Sequence, residues 1–176
     1  RGKALCPALA IVDSVFTESV PIKTTMETGF DVLAHAVESY VAKAASPYTR
    51  MQSEYAVHIV GKYLPRLSVD LQDTAAREKM SFASLLMGIN LGHSGTCLPH
   101  RLQYPLGAYT DTSHGAGLAA MYPAWISCEY RYAPDQIEKL LRILTGEDVR
   151  GESSCVKKVQ KIIKQFGLAT SLSELG

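Results

Sequence analysis

Neither sign of charge is in excess. The 18 Lys and Arg residues are matched by 17 Asp and Glu, a formal net charge of +1. The chain therefore lacks the basic surplus with which proteins hold nucleic acid. No apolar run approaches the roughly 18 residues of a membrane span, so no membrane partner is expected. No succession of charged, apolar and small residues marks a signal peptide. Cysteine is sparse: Cys6, Cys97, Cys128 and Cys155 are scattered, without a C-x-x-C pair. This usage reads as reduced thiols in a cytoplasm, most of them buried packing. A glycine-rich loop after a strand is also missing, so no segment marks itself as a cradle for dinucleotide phosphates. No cofactor-binding residue is assigned for that reason. No internal repeat or low-complexity segment is evident.

What is present is a globular composition. The 176 residues are 47% hydrophobic and 20% charged, enough for one domain with a sizeable core. The first residue is Arg, not Met, which suggests a processed or truncated piece of something longer. Residues 1–20 differ from the remainder. "ALAIVDSVF" is short, apolar and rich in β-branched residues, and turn-like "TESVP" follows it. It predicts a strand leading into the body. Residues 21–176 read as helical almost throughout.

Ser46-Pro47 makes a helix start, with Ser as N-cap and Pro in the first turn, and that helix is expected to reach Pro65. A second long helix begins with Asp73 or Thr74 as cap and runs through "AAREKMSFASLLMGINLG". "GAGLAAMYPAWISCEY" is apolar nearly all round, so it should be deeply buried, and Pro123 should kink or end it. Ile137, Leu140, Leu141 and Leu144 repeat at helical spacing before a plausible stop at Gly146. Val156, Val159, Ile162, Ile163 and Phe166 form one further stripe, with Lys157, Lys158, Lys161 and Lys164 as its solvated side. About six or seven helices are expected from these patterns.

Against this apolar background, "TGFDVLAHAVESY" places Asp31 and His35 one helical turn apart, on one face. His100 and His114 lie in "PHRLQYPLGAYTDTSHGAG", a stretch with Pro99, Pro105 and three glycines, which should break and redirect the chain. Asp31, His35, His100 and His114 together make a plausible metal set of imidazoles and one carboxylate. Spacing alone leaves the plainer reading open, in which Asp31 only hydrogen-bonds His35 or a helix terminus. His58 and His93 have no carboxylate at ligand spacing and read as ordinary histidines.

The surrounding residues resemble a known family. Pro21 to Tyr40, P-x-x-x-T-x-x-T-G-F-D-V-L-A-H-A-V-E-S-Y, resembles the metal-ligand helix of the iron-containing alcohol dehydrogenases. "AIVD" (Ala10 to Asp13) resembles the strand before it, and "AREKMSFASLLMGI" the family's long central helix. "HRLQYPLGA" and "SHGAGLAA" resemble the family's H-x-x-x-H-P-L-G-A and P-H-G-x-x-N-A. The resemblance spans essentially the whole chain. It implies a mainly α fold, the dehydroquinate-synthase-like helical domain. A short N-terminal strand in 1–20 would be left from an α/β nucleotide-binding domain or its linker, and 21–176 would be the helical metal-binding domain, shortened at its C-terminus. It implies that Asp31, His35, His100 and His114 bind Fe²⁺ or Zn²⁺. It also implies reversible hydride transfer between NAD or NADP and an aldehyde, ketone or alcohol. Without a glycine-rich loop the chain alone is expected to be inactive, and the face that would meet a nucleotide-binding domain should be apolar, so a homo-oligomer such as a dimer is expected.

Four departures stand out. Tyr104 replaces a frequent His beside the nicotinamide, where it could relay a proton or simply pack. Arg101 stands where something small is usual, Ser113 replaces a frequent Pro, and Leu118-Ala119 lacks a frequent Asn. Other readings are a free-standing helical metal-binding or interaction module without catalysis, a related glycerol-phosphate dehydrogenase, and a dehydroquinate-synthase-like lyase. A phosphohydrolase fits least, for want of a His-Asp dyad.

Overall fold

The start signals in the sequence are used where they occur. In the computed structural model, which describes residues 7–175, Ser46 accepts from the Thr49 amide while Thr49 Oγ1 accepts from the Ser46 amide, closing a capping box. Asp73 accepts from the Ala76 amide in the same way. Each cap satisfies a backbone donor that the first turn would leave unpaired. Seven α-helices result among the described residues: α1 (Ile22–Val41), α2 (Pro47–Val69), α3 (Thr74–His93), α4 (Leu98–Thr110), α5 (His114–Tyr130), α6 (Pro134–Thr145) and α7 (Glu152–Gln165). None is long and apolar enough to cross a membrane.

Three prolines lie inside helices and end none of them. α2 continues past Pro65 to Val69, because the buried Leu64 and Leu67 hold its last turn against the core. α5 runs through Pro123 to Tyr130 with Tyr122, Trp125 and Ile126 buried around it. There, burial of large side chains outweighs one missing backbone hydrogen bond. Pro105 likewise sits within α4. The chain turns only at Asp111, whose φ of 56° is left-handed, a conformation that Asp tolerates better than most residues. The expected break between His100 and His114 is therefore confined to residues 111–113.

The expected N-terminal strand does not form among the described residues. The whole of "ALAIVDSVF", residues 8–16, lies within them. Residues 7–13 have no regular structure, and Ser14–Thr17 form a 3-10 turn capped by Asp13. A strand needs a neighbour to take its backbone donors and acceptors. The side chains meant for the strand stay exposed, Ile11 at 81% and Phe16 at 80%.

α1 is the centre of the fold, touching α2, α3, α5 and α6. Phe30, Leu33, Ala34, Ala36 and Val37 are buried on it. The Phe30 ring meets Tyr122 of α5 edge-on at 5.2 Å, and the Tyr122 hydroxyl donates to the Ala34 carbonyl at 3.3 Å. Arg77, buried on α3, donates to the carbonyls of Leu71 and Val20 and to Thr25 Oγ1. It thereby ties the segment entering α1 to α3. α4 lies at the edge and makes its main contacts with α5.

The thiols divide differently from expectation. Cys155 is buried and Cys97 half-buried, but Cys128 is exposed; Cys6 lies outside the described residues. Burial, with Glu38 and Glu129 nearby, pushes the Cys97 thiol up to about 12, and burial beside Glu138 pushes Cys155 up to about 11. Only thiolates alkylate. Iodoacetamide at pH 8 should therefore label Cys128 first and spare Cys97 and Cys155, as peptide mass spectrometry can check. Equal labelling of all three in the folded protein would contradict this packing.

Candidate metal centre

Three elements meet along the middle of α1. Asp31 and His35 project from α1 at i, i+4. His100 lies in the first turn of α4, and His114 is the first residue of α5. The approach of α5 to α1 depends on Gly115. A Cβ there would collide with the backbone carbonyl of Glu27, one turn before Asp31. Without a side chain at 115, the start of α5 lies directly against α1.

The four side chains converge. Asp31 Oδ1 lies 3.6 Å from His35 Nε2, 3.3 Å from His100 Nε2 and 3.6 Å from His114 Nε2. The Nε2 atoms of His35 and His100 are 3.1 Å apart. Donor atoms of Asp31, His100 and His114 all lie within 4.8 Å of one another. His58 is exposed, and His93 bonds the Ile89 carbonyl at 2.8 Å, so neither takes part.

The outer sides of two imidazoles are engaged. His100 Nδ1 is 2.8 Å from Glu38 Oε1, and the other oxygen of Glu38 accepts from the Cys97 amide at 2.6 Å. His114 Nδ1 is 2.5 Å from Gln103 Oε1. Sequence reading missed Glu38 and Gln103 as partners. The available signal was a carboxylate at 38 on the same apolar helix as Asp31, seven residues on. Gln103 had no signal beyond lying between His100 and His114.

Burial falls across the site. The His100 side chain is 2% exposed and Glu38 fully buried, whereas His114 is 39% exposed. Tyr104, 61% exposed, lies nearly parallel to His114 with ring centres 6.1 Å apart. The cluster is thus closed at the Glu38 side and open at the Tyr104 side. Arg101 is exposed.

The electrostatics follow from this crowding. Burial pushes the Asp31 carboxyl up, but His100, His35 and His114 together hold it below its ordinary value. Burial lowers His35 to about 4, helped by His100 and His114 and opposed by Asp31, so its imidazole is neutral at pH 7. His100 is raised to about 9: burial works against its charge, and the carboxylates of Asp31 and Glu38 prevail.

The donor set fits a divalent cation. Asp31 Oδ1 is buried without a hydrogen-bond partner, as is His35 Nδ1. A buried carboxylate oxygen facing three imidazole nitrogens is costly to leave unsatisfied. Imidazole with carboxylate suits iron or zinc.

Comparison with known proteins shows the family of the chain. Residues 25–176 match the model of the Fe-containing alcohol dehydrogenase family, C-terminal. The chain belongs to the iron-containing alcohol dehydrogenase family. It is 32% identical over 178 residues to the Escherichia coli (strain K12) protein named "Probable alcohol dehydrogenase EutG", covering 98% of this chain and 44% of that one. It is 29% identical over 178 residues to the NAD-dependent methanol dehydrogenase of Bacillus methanolicus, covering 98% and 46%. An archaeal halo-thermophilic Red Sea brine pool alcohol dehydrogenase superposes with a TM-score of 0.88 at 28% identity, covering 97% of this chain and 45% of that one. The chain spans about half the length of the curated family members it matches. The all-helical architecture of its described residues is that of the family's C-terminal domain.

Proposed function

We propose that this chain supplies the metal-holding helical half of an alcohol dehydrogenase. The reaction would be reversible hydride transfer between NAD(P)H and a small aldehyde or ketone. The observation that carries the proposal is the convergence of Asp31 Oδ1 with the Nε2 atoms of His35, His100 and His114. Family membership supports the reaction class.

Those four residues would hold Fe²⁺ or Zn²⁺. Such an ion acts as a Lewis acid toward a carbonyl oxygen and stabilises the negative charge that develops there. The chain's own residues set the conditions. Asp31 contributes the single negative charge of the set. Gln103 accepts from His114 Nδ1, which leaves the Nε2 lone pair of that ring facing Asp31. Glu38 and the apolar face of α1 close the rear, so a substrate would reach the cluster from the side of His114 and Tyr104.

The deciding measurement is the metal content of the protein purified without added metal and with oxygen excluded. About one iron or zinc per chain is expected. A protein free of both, and unable to take up either, would defeat the proposal.

Tyr104 is proposed to move the alcohol proton at the open side. Its place over His114 supports the role. In a dehydrogenase containing this chain, Tyr104→Phe keeps the ring and removes the proton. Turnover should fall on the order of 100-fold, within the usual range for lost acid–base catalysis, with metal content unchanged. Tyr104→His should restore the rate near neutral pH, where imidazole titrates. An unchanged rate and pH profile in Tyr104→Phe, with hydride transfer limiting, would assign Tyr104 to packing.

A further inference from the structure

Glu38 is the most deeply buried carboxylate of the site, fully excluded from solvent near the C-terminal end of α1. Both its oxygens are committed. Oε1 faces His100 Nδ1 at 2.8 Å, and Oε2 accepts from the Cys97 amide at 2.6 Å. Cys97 is the N-cap residue of α4, and its side chain makes no capping bond. Its thiol instead donates to the Glu38 carbonyl at 3.4 Å. α4 contacts little of the fold besides α5, so its attachment to α1 falls largely on Glu38.

We propose that Glu38 is a positioning residue for the metal centre: one carboxylate docks the start of α4 onto α1 and holds His100 with Nε2 turned toward Asp31. This rests on the metal reading of the cluster. The argument is one of donors and acceptors. A carboxylate is acceptor-only, so it takes the Cys97 N–H on one oxygen and the His100 Nδ1–H on the other. With Nδ1 carrying the proton, Nε2 keeps its lone pair for a cation. An outer carboxylate of this kind fixes tautomer and ring orientation together and strengthens the ring as a donor.

A glutamine of the same shape cannot satisfy both contacts. Its oxygen can accept from only one side, and its NH₂ would then face a second donor, either the Cys97 amide or His100 Nδ1–H. In Glu38→Gln, therefore, either α4 loses its anchor or His100 takes the tautomer that puts a proton on Nε2.

The test uses Zn²⁺ and Co²⁺ added to the metal-free chain. Wild type should take up one ion per chain. Glu38→Gln, with helix content unchanged by circular dichroism, should bind Zn²⁺ about 10–100-fold more weakly, the usual cost of losing such an outer partner. Its Co²⁺ absorption spectrum should also change, which a merely structural carboxylate would not cause. Wild-type uptake together with equal affinity and an identical spectrum in Glu38→Gln would overturn the role of Glu38 and leave the metal site standing. Absence of uptake by wild type would remove the metal reading and this inference with it. A second measurement does not depend on the variant. In ¹⁵N NMR of zinc-loaded wild type, His100 should show a protonated Nδ1 and a zinc-bound Nε2. The opposite arrangement would overturn the proposal even if Glu38→Gln failed to fold.

Discussion

His100→Ala and His114→Ala should each lose stoichiometric metal. Both rings aim Nε2 at Asp31 Oδ1, at 3.3 Å and 3.6 Å, so removing either takes a donor from the centre of the cluster. The loss should appear twice. Metal analysis should fall from about one ion per chain to a small fraction. The wild-type unfolding midpoint should rise with added Zn²⁺, and those of the variants should not. A ligand bound only by the folded state adds about 2.7 kcal/mol at a concentration 100 times its Kd, a shift of several degrees for a domain of this size. His58→Ala and His93→Ala serve as controls, because both rings lie outside the cluster. Retention of one ion per chain by both His100→Ala and His114→Ala would show that the convergence is not a metal site. A smaller effect is expected for His100→Ala on the stability of the metal-free protein. Deleting the ring orphans one oxygen of Glu38, a group with no access to water, and an unsatisfied buried polar group costs roughly 1–3 kcal/mol.

Part of this site was visible in the sequence, for a physical reason. Asp31 and His35 are neighbours through helix geometry alone, and "TGFDVLAHAVESY" is strongly helical by its apolar positions. The long helices were visible too, because Ser46-Pro47, Asp73 and Gly146 are local signals read by the nearest few residues. What local patterning does not contain is the meeting of α1 with α4 and α5. His35 and His100 are 65 residues apart; residue types alone made them a candidate set, and the family resemblance, not spacing, favoured it. None of the three helix-interior prolines ends its helix, because each helix is held by burial along its flanks, a tertiary effect that outweighs propensity. The N-terminal strand was misjudged for the converse reason. Its residues favour a strand, yet a strand exists only beside a partner. Glu38 and Gln103 escaped notice because an outer acceptor is defined by the side chain it faces, not by its own neighbours in sequence.

Gly115→Ala should damage both the fold and the centre, although it adds only one methyl group. A Cβ at 115 would overlap the carbonyl oxygen, carbonyl carbon and Cα of Glu27. These are backbone atoms of the central helix and cannot rotate away, as the end of a flexible side chain could. α5 must therefore back off from α1. Overpacking of this kind costs about 1–3 kcal/mol, set against the 0.5–1 kcal/mol that Gly→Ala ordinarily contributes within a helix. The net expectation is a lower unfolding midpoint. His114 precedes Gly115 directly and moves with it. Metal–ligand distances tolerate only about ±0.2 Å, so a displacement of a few tenths of an ångström should also weaken metal binding. Gly88→Ala and Gly92→Ala supply the contrast. Both lie within α3, and an added Cβ meets nothing within 4 Å at either position. Each should hold or raise the midpoint and leave metal affinity alone. Chemical denaturation and Zn²⁺ titration of the three variants would decide the matter. A Gly115→Ala protein as stable as Gly88→Ala, with wild-type affinity, would mean that the close approach of α5 to Glu27 does not set the position of His114.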